Sequence, residues 1–150
     1  MMLKTHLAMA LFFLLIFIQH IEHKILFSIV LLIAAVIPDL DSKHSKIGNK
    51  LIFRILQFFT KHRGVIHSFT ICIIISVILV FTFPILALPF FIGYSVHLFA
   101  DSFTVEGIEP FWPYKGKSAG MVSTGGNMER IIFLFFAIVD LAILVLLFLI

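Results

Sequence analysis

Residues 131–150 read IIFLFFAIVDLAILVLLFLI, twenty positions with one ionisable side chain, Asp140. An α-helix needs about 20 such residues to cross the hydrocarbon core of a bilayer. Four apolar stretches precede this one, Leu7–Ile18, Ile25–Ile37, Val65–Phe83 and Ile85–Phe103. The last three of the five reach crossing length, with Pro84 and Pro89 crowding the join between Val65–Phe83 and Ile85–Phe103 into a tight turn. The first two are short and span only if their helices run on through Gln19–Lys24; a re-entrant pair is the alternative.

Composition agrees with a lipid solvent. The 150 residues are 61% apolar and 13% charged, with mean hydropathy +1.17. Ordinary soluble domains run to about 45–50% apolar and about 25% charged. A chain this short cannot bury so much apolar surface around one water-exposed core. Cys72 has no cysteine partner in the chain, so a disulfide framework is excluded. The expected fold class is all-α, an integral-membrane helical bundle forming one membrane-embedded domain over residues 1–150. It has about five membrane helices, the first two short, and an interfacial helix. That last element is residues 45–62, where Leu51, Ile52, Ile55, Leu56, Phe58 and Phe59 alternate with Lys50, Arg54 and Lys61. Lys4 followed by an apolar run resembles the start of a signal peptide. The run ends in Gln19-His20-Ile21-Glu22-His23, without a small-residue cleavage site, and reads as a retained helix.

Five crossings place ten of the eleven Lys and Arg residues on one side, leaving Lys24 on the other. Cytoplasmic connections carry such an excess. The expected location is the cell (inner) membrane, with the N-terminus and both long connections cytoplasmic. On the same side fall His6, Asp39, Asp41, His62, His67, His97, Asp101 and Glu129. His97 and Asp101 are i and i+4 and share a helix face, extended by Tyr94 and Thr104. His62 and His67 are five apart, about 140° round an ideal helix, and converge only if Arg63-Gly64 belongs to a turn. His20 and His23 fall on the opposite side and read as a solvated turn.

Imidazoles mixed with carboxylates suit zinc, manganese or iron better than calcium or magnesium. A catalytic zinc takes three protein ligands and keeps a position for water. The candidates exceed three, so either two ions bind or some residues orient the ligands. Such an ion lowers the pKa of its water and polarises the scissile group. Arg63 is placed to neutralise an anionic substrate such as a phosphate. The structural alternatives are helix capping for Asp39, Asp41 and Glu129, and an interfacial flank for His6. Ionisable groups inside apolar spans, as at His67, His97 and Asp101, mark functional sites more often than not. Gly116-Lys117-Ser118 is not a phosphate-binding P-loop, because Phe111 occupies the required glycine position.

Several motifs carry a family resemblance: Thr5-His6, Pro38-Asp39-Leu40-Asp41, His62-Arg63-Gly64-Val65-Ile66-His67-Ser68, and Gly93-Tyr94-Ser95-Val96-His97-Leu98-Phe99-Ala100-Asp101. Thr104, Gly107 and Phe111-Trp112-Pro113 follow in order. The set resembles small multi-pass prokaryotic proteins known as inner-membrane, metal-dependent hydrolases. It is distantly similar to the zinc-dependent phospholipase C and P1 nuclease group, whose His-x-x-x-Asp element matches His97 and Asp101. That group's second element, His-x-x-x-Glu, is absent here, a departure from the trinuclear pattern. The resemblance implies metal ligation by His6, Asp39, Asp41, His62, His67, His97 and Asp101.

The functional expectation is therefore a metal-dependent hydrolase that cleaves a phosphoester, lipid or other phosphorylated small molecule, at the cytoplasmic membrane face. Arg63, Asp101 and Glu129 are its candidate catalytic residues, and one or two zinc ions its cofactor, with manganese or iron as alternatives. Membrane lipids are expected partners; nucleic acid and a disulfide-linked partner are not. A divalent-metal transporter using Asp140 as a second station is the competing reading, and a membrane adaptor with a structural metal is a third.

Overall fold

The computed structural model describes residues 1–41 and 65–149. Among them are five α-helices and no named strand. Helix α1 (Leu3–Phe17) continues into a 3-10 turn, Ile18–His20. Helix α2 (Lys24–Ala34) is followed by a second such turn, Ile37–Asp41. Helices α3 (Phe69–Thr82), α4 (Pro84–Ser102) and α5 (Asn127–Leu149) complete the set. The all-helical membrane class expected from composition is the one observed.

The division into crossings differs from the expectation. Leu3–His20, Pro84–Ser102 and Asn127–Leu149 are long and apolar enough to cross a membrane; α2 and α3 are not. The eleven residues of α2 rise about 17 Å and the fourteen of α3 about 21 Å. Both fall short of a hydrocarbon core of roughly 30 Å. Helices α1 and α2 do not run on into each other, because Ile21 is extended and α2 begins only at Lys24. The stretch Val65–Phe83, expected to cross, loses its first turn to a cap. Ser68 Oγ accepts from the Ile71 nitrogen at 3.3 Å and donates to the Val65 carbonyl at 2.7 Å. That cap satisfies a helix N-terminus and bends residues 65–68 back over the end of the bundle. Between α3 and α4 only Phe83 intervenes, and Pro84 opens α4 where its missing N–H costs no hydrogen bond.

Helix α4 is the hub. It packs against α2, α3 and α1, and α5 packs on α1. Close approach of α2 depends on Gly93: a Cβ there would lie 2.1 Å from the Leu31 carbonyl oxygen, a backbone atom. On the other flank, Phe90, Tyr94 and Leu98 pack with Cys72 of α3 and with Ile108. Helices α1 and α5 start at the same end and run in parallel. Thr5 bonds Glu129 there, and two turns on Phe12 meets Phe136 edge to face at 5.4 Å. The outer side of α5, from Ile131 through Leu134, Ile138 and Leu141, is exposed apolar surface that lipid would cover.

Residues 103–126 fold over the end where α4 finishes. Two isolated bridges, Thr104 to Val122 and Ile108 to Ser118, hold the loop on itself. Gly107 turns it with φ +61, where a Cβ would meet the Ser118 carbonyl oxygen at 2.1 Å. The Pro110 carbonyl accepts from the Phe69 nitrogen at 2.8 Å, tying the loop to the start of α3. Phe111, Trp112 and Tyr114 stand exposed, as interfacial aromatics do.

Candidate metal centre

The alternating helix directions bring five side chains from four chain segments to one end of the bundle. His6 comes from the start of α1, Asp39 from the turn after α2, His67 from the cap of α3, and His97 and Asp101 from the last turns of α4. All five side chains are buried. Asp101 is the meeting point: its Oδ1 lies 3.3 Å from His6 Nε2, and its Oδ2 lies 3.7 Å from His67 Nε2 and 3.9 Å from His97 Nε2. His97 Nε2 is also 4.0 Å from Asp39 Oδ1. The His6 ring stacks on that of His97 at 3.9 Å, and His67 meets His97 edge to face at 5.3 Å. The Met1 nitrogen also donates to Asp101 Oδ1.

One hydrogen bond decides what this cluster can do. His97 Nδ1 lies 2.8 Å from the Ala35 carbonyl oxygen. A carbonyl can only accept, so Nδ1 carries the proton; in the neutral form of the ring the Nε2 lone pair then faces Asp39 and Asp101. A lone pair facing two carboxylates is unfavourable unless a cation lies between them. Metal-ligating histidines are oriented in this way, by a backbone carbonyl on the far nitrogen. His97 Nε2 and His6 Nδ1 have no hydrogen-bond partner among the described residues. Orphaned buried polar atoms of this kind are expensive unless something else satisfies them.

The spacings suit an ion. Two ligands about 2.0–2.2 Å from a tetrahedral metal lie roughly 3.3–3.6 Å apart. Two groupings bring their ligand atoms within 4.8 Å of one another: His6, Asp39 and His97, and His67, His97 and Asp101. Both need His97. With Nδ1 committed to Ala35, that residue has a single ligating atom, so only one grouping at a time is complete. Among the described residues, the donor set fits one ion.

Outside the membrane-spanning helices, burial pushes the Asp39 carboxyl above its usual value, and the nearby His6 opposes that push. Its carboxylate is therefore protonated earlier on acidification than that of a free aspartate.

The remaining candidates are placed as follows. The side chain of Asp41, together with His62, Arg63 and the amphipathic stretch 45–62, lies outside the described residues. His20 and His23 are exposed at the far end, as expected. Glu129, named above as a candidate catalytic residue, stands outside both groupings. Its carboxylate accepts from Thr5 Oγ1 at 2.9 Å, the Gly125 nitrogen at 2.6 Å and the Met2 nitrogen, which couples the start of α5 to that of α1. Hydrogen bonds to a charged group are worth about 1.5–3 kcal/mol each. Glu129→Ala is thus expected to lower the melting temperature in detergent while leaving metal content unchanged, checked by thermal unfolding alongside elemental analysis. Loss of the metal with unchanged melting would instead put Glu129 in the centre.

Sequence reading missed the Ala35 carbonyl and the Thr5–Glu129 brace. A carbonyl leaves no trace in residue type. The small pair Ala34-Ala35 opposite Gly93 was the available hint of a close helix contact.

Fold and site together define an all-helical membrane protein with a buried histidine–aspartate cluster at one end of its bundle. The chain belongs to the YdjM inner membrane protein family, whose model matches residues 1–150. No curated protein and no solved structure matches it.

Proposed function

We propose that this inner membrane protein is a metal-dependent hydrolase acting on a phosphoester, with the metal held among His6, Asp39, His67, His97 and Asp101. The observation that carries the reading is the Nε2 lone pair of His97, fixed by the Ala35 carbonyl and directed at two buried carboxylates. Held by these residues, a zinc, manganese or iron ion would supply Lewis acidity toward a phosphoryl oxygen and would acidify a water. The chain's own contribution is positional. Helix α4 fixes His97 and Asp101, Ala35 at the C-terminal cap of α2 supplies the carbonyl that sets the tautomer, and burial strengthens each charge interaction. The His97-x-x-x-Asp101 spacing supports the reading as the element shared with zinc phosphoesterases.

The cation bias supports a cytoplasmic site end: among the described residues Lys4, Lys115, Lys117 and Arg130 belong to segments at that end, against Lys24 at the other.

The test is purification in detergent, metal analysis, and turnover of a chromogenic nitrophenyl phosphodiester. Wild type is expected to hold metal and turn over the probe; a His97→Ala variant should do neither. Metal-loaded wild type without turnover overturns the hydrolase reading. Metal retention should also fall on acidification, because imidazole and carboxylate ligands must be deprotonated to hold the ion. The sign is fixed: acid releases the ion and alkali retains it, readable by equilibrium dialysis between pH 8 and 5.

Asp140 favours a second reading. It is buried in α5, and neither carboxylate oxygen has a hydrogen-bond partner among the described residues. It lies eleven positions beyond Glu129, about 16 Å along the helix. A transport path needs such a second station. The hydrolase reading expects no zinc flux in proteoliposomes; flux abolished by Asp140→Asn would move the assignment to transport.

A further inference from the structure

Leu32, Ile33, Val36, Ile37 and Leu40 line a cavity of about 340 Å³ with a wholly apolar wall. That volume lies within the roughly 300–1,000 Å³ range of ligand sites. Its position is more informative than its size. Ile37 and Leu40 flank Asp39 within a single 3-10 turn, Ile37–Asp41. Asp39 is buried, with its carboxylate 4.0 Å from His97, whereas Ile37, two positions before it, and Leu40, the next residue, line the cavity. One turn therefore forms a wall of the polar cluster and a wall of an apolar groove.

We infer that the substrate is a lipid phosphoester whose phosphate sits at the His–Asp cluster and whose acyl chain lies in the groove along α2. The inference rests on the hydrolase reading for its chemistry, but not for its binding test. A small soluble phosphoester has no apolar part to occupy the groove. An acyl chain reaches it without leaving hydrocarbon, because α2 exposes Ile25, Leu26, Ile29 and Ile33 along its length. Since the chain passes from one apolar medium to another, the groove adds little hydrophobic free energy. Its effect is registration: it sets which atom of a phosphate-headed amphiphile reaches the metal-capable side chains. Selection among lipids then comes from the headgroup.

The experiment places a benzoylphenylalanine photo-crosslinker at position 33 of the full chain. The protein is reconstituted in nanodiscs of phosphatidylcholine with a minor share of phosphatidic acid. A second crosslinker at position 141, on the exposed side of α5, reports the bulk bilayer. The expected result is adduct formation with phosphatidic acid at position 33, enriched roughly tenfold over its bilayer share, the scale of one charge-assisted contact. Adducts at position 141 should track the bilayer composition. Val36→Trp, which fills the groove, should return position 33 to the bulk ratio with metal content unchanged. Equal ratios at the two positions overturn the inference, as does a crosslink from position 33 into residues 42–64 or into a second copy of the chain. Because the readout is lipid capture, absence of turnover would refute the hydrolase reading while leaving the groove judged on its own result.

Discussion

Asp101→Asn is expected to strip the protein of its metal. The substitution preserves the shape of the side chain and removes the charge that faces His6, His67 and His97 at 3.3, 3.7 and 3.9 Å. Losing a group that merely supports a ligand costs about 10–100-fold in metal affinity. Loss of the carboxylate at the meeting point of three imidazoles should cost more, enough to lose the ion during purification. Metal content near one ion per chain in wild type and near zero in the variant is the expected pair of values. If Asp101 were only a structural partner for the imidazoles, both proteins would purify without metal and differ in thermal stability alone.

The second large effect is structural and lies one helix turn from the chemistry. In Gly93→Ala the new methyl group would sit 2.1 Å from the Leu31 carbonyl oxygen and about 3.0 Å from the Ala35 nitrogen. Both are backbone atoms, so no side chain can rotate aside and α2 must move away from α4. Overpacking of this kind costs typically about 1–3 kcal/mol, occasionally more. The displacement also carries the Ala35 carbonyl away from His97 Nδ1 and Asp39 away from His97 Nε2. Gly93→Ala should therefore lower the melting temperature and weaken metal binding together. Gly116→Ala is the control, since a Cβ there meets nothing within 4 Å. Stability and metal affinity falling together in Gly93→Ala, with neither changing in Gly116→Ala, is the expected pattern.

How much of the fold and site shows in the sequence depends on which interactions leave a mark on residue type. A lipid solvent was legible because it acts on every side chain, and residues 131–150 alone required a membrane helix. The gathering of His6, Asp39, His67, His97 and Asp101 at one end was legible because alternating helices return to the same depth. Helix ends were less so. Val65–Phe83 has the composition of a crossing, but the Ser68 cap starts the helix at Phe69 and spends the first residues on placing His67. Apolar count does not register a cap that rests on one hydroxyl. Glu129 illustrates another limit. Its type and position suited catalysis, and only coordinates reveal that Thr5, Met2 and Gly125 take up its carboxylate. The tautomer of His97 is beyond sequence altogether, since it is set by a backbone carbonyl on another helix.

Anomalous X-ray diffraction would locate a metal ion held among these five side chains. Data collected on either side of the zinc edge, from crystals grown with zinc in a lipidic phase, locate any bound ion without reference to activity. One strong anomalous peak is expected about 2.0–2.2 Å from His97 Nε2 and from a carboxylate oxygen of Asp39 or Asp101. A zinc-soaked crystal with no peak at that end of the bundle, or with its peak at exposed His20 and His23 instead, would overturn the metal assignment.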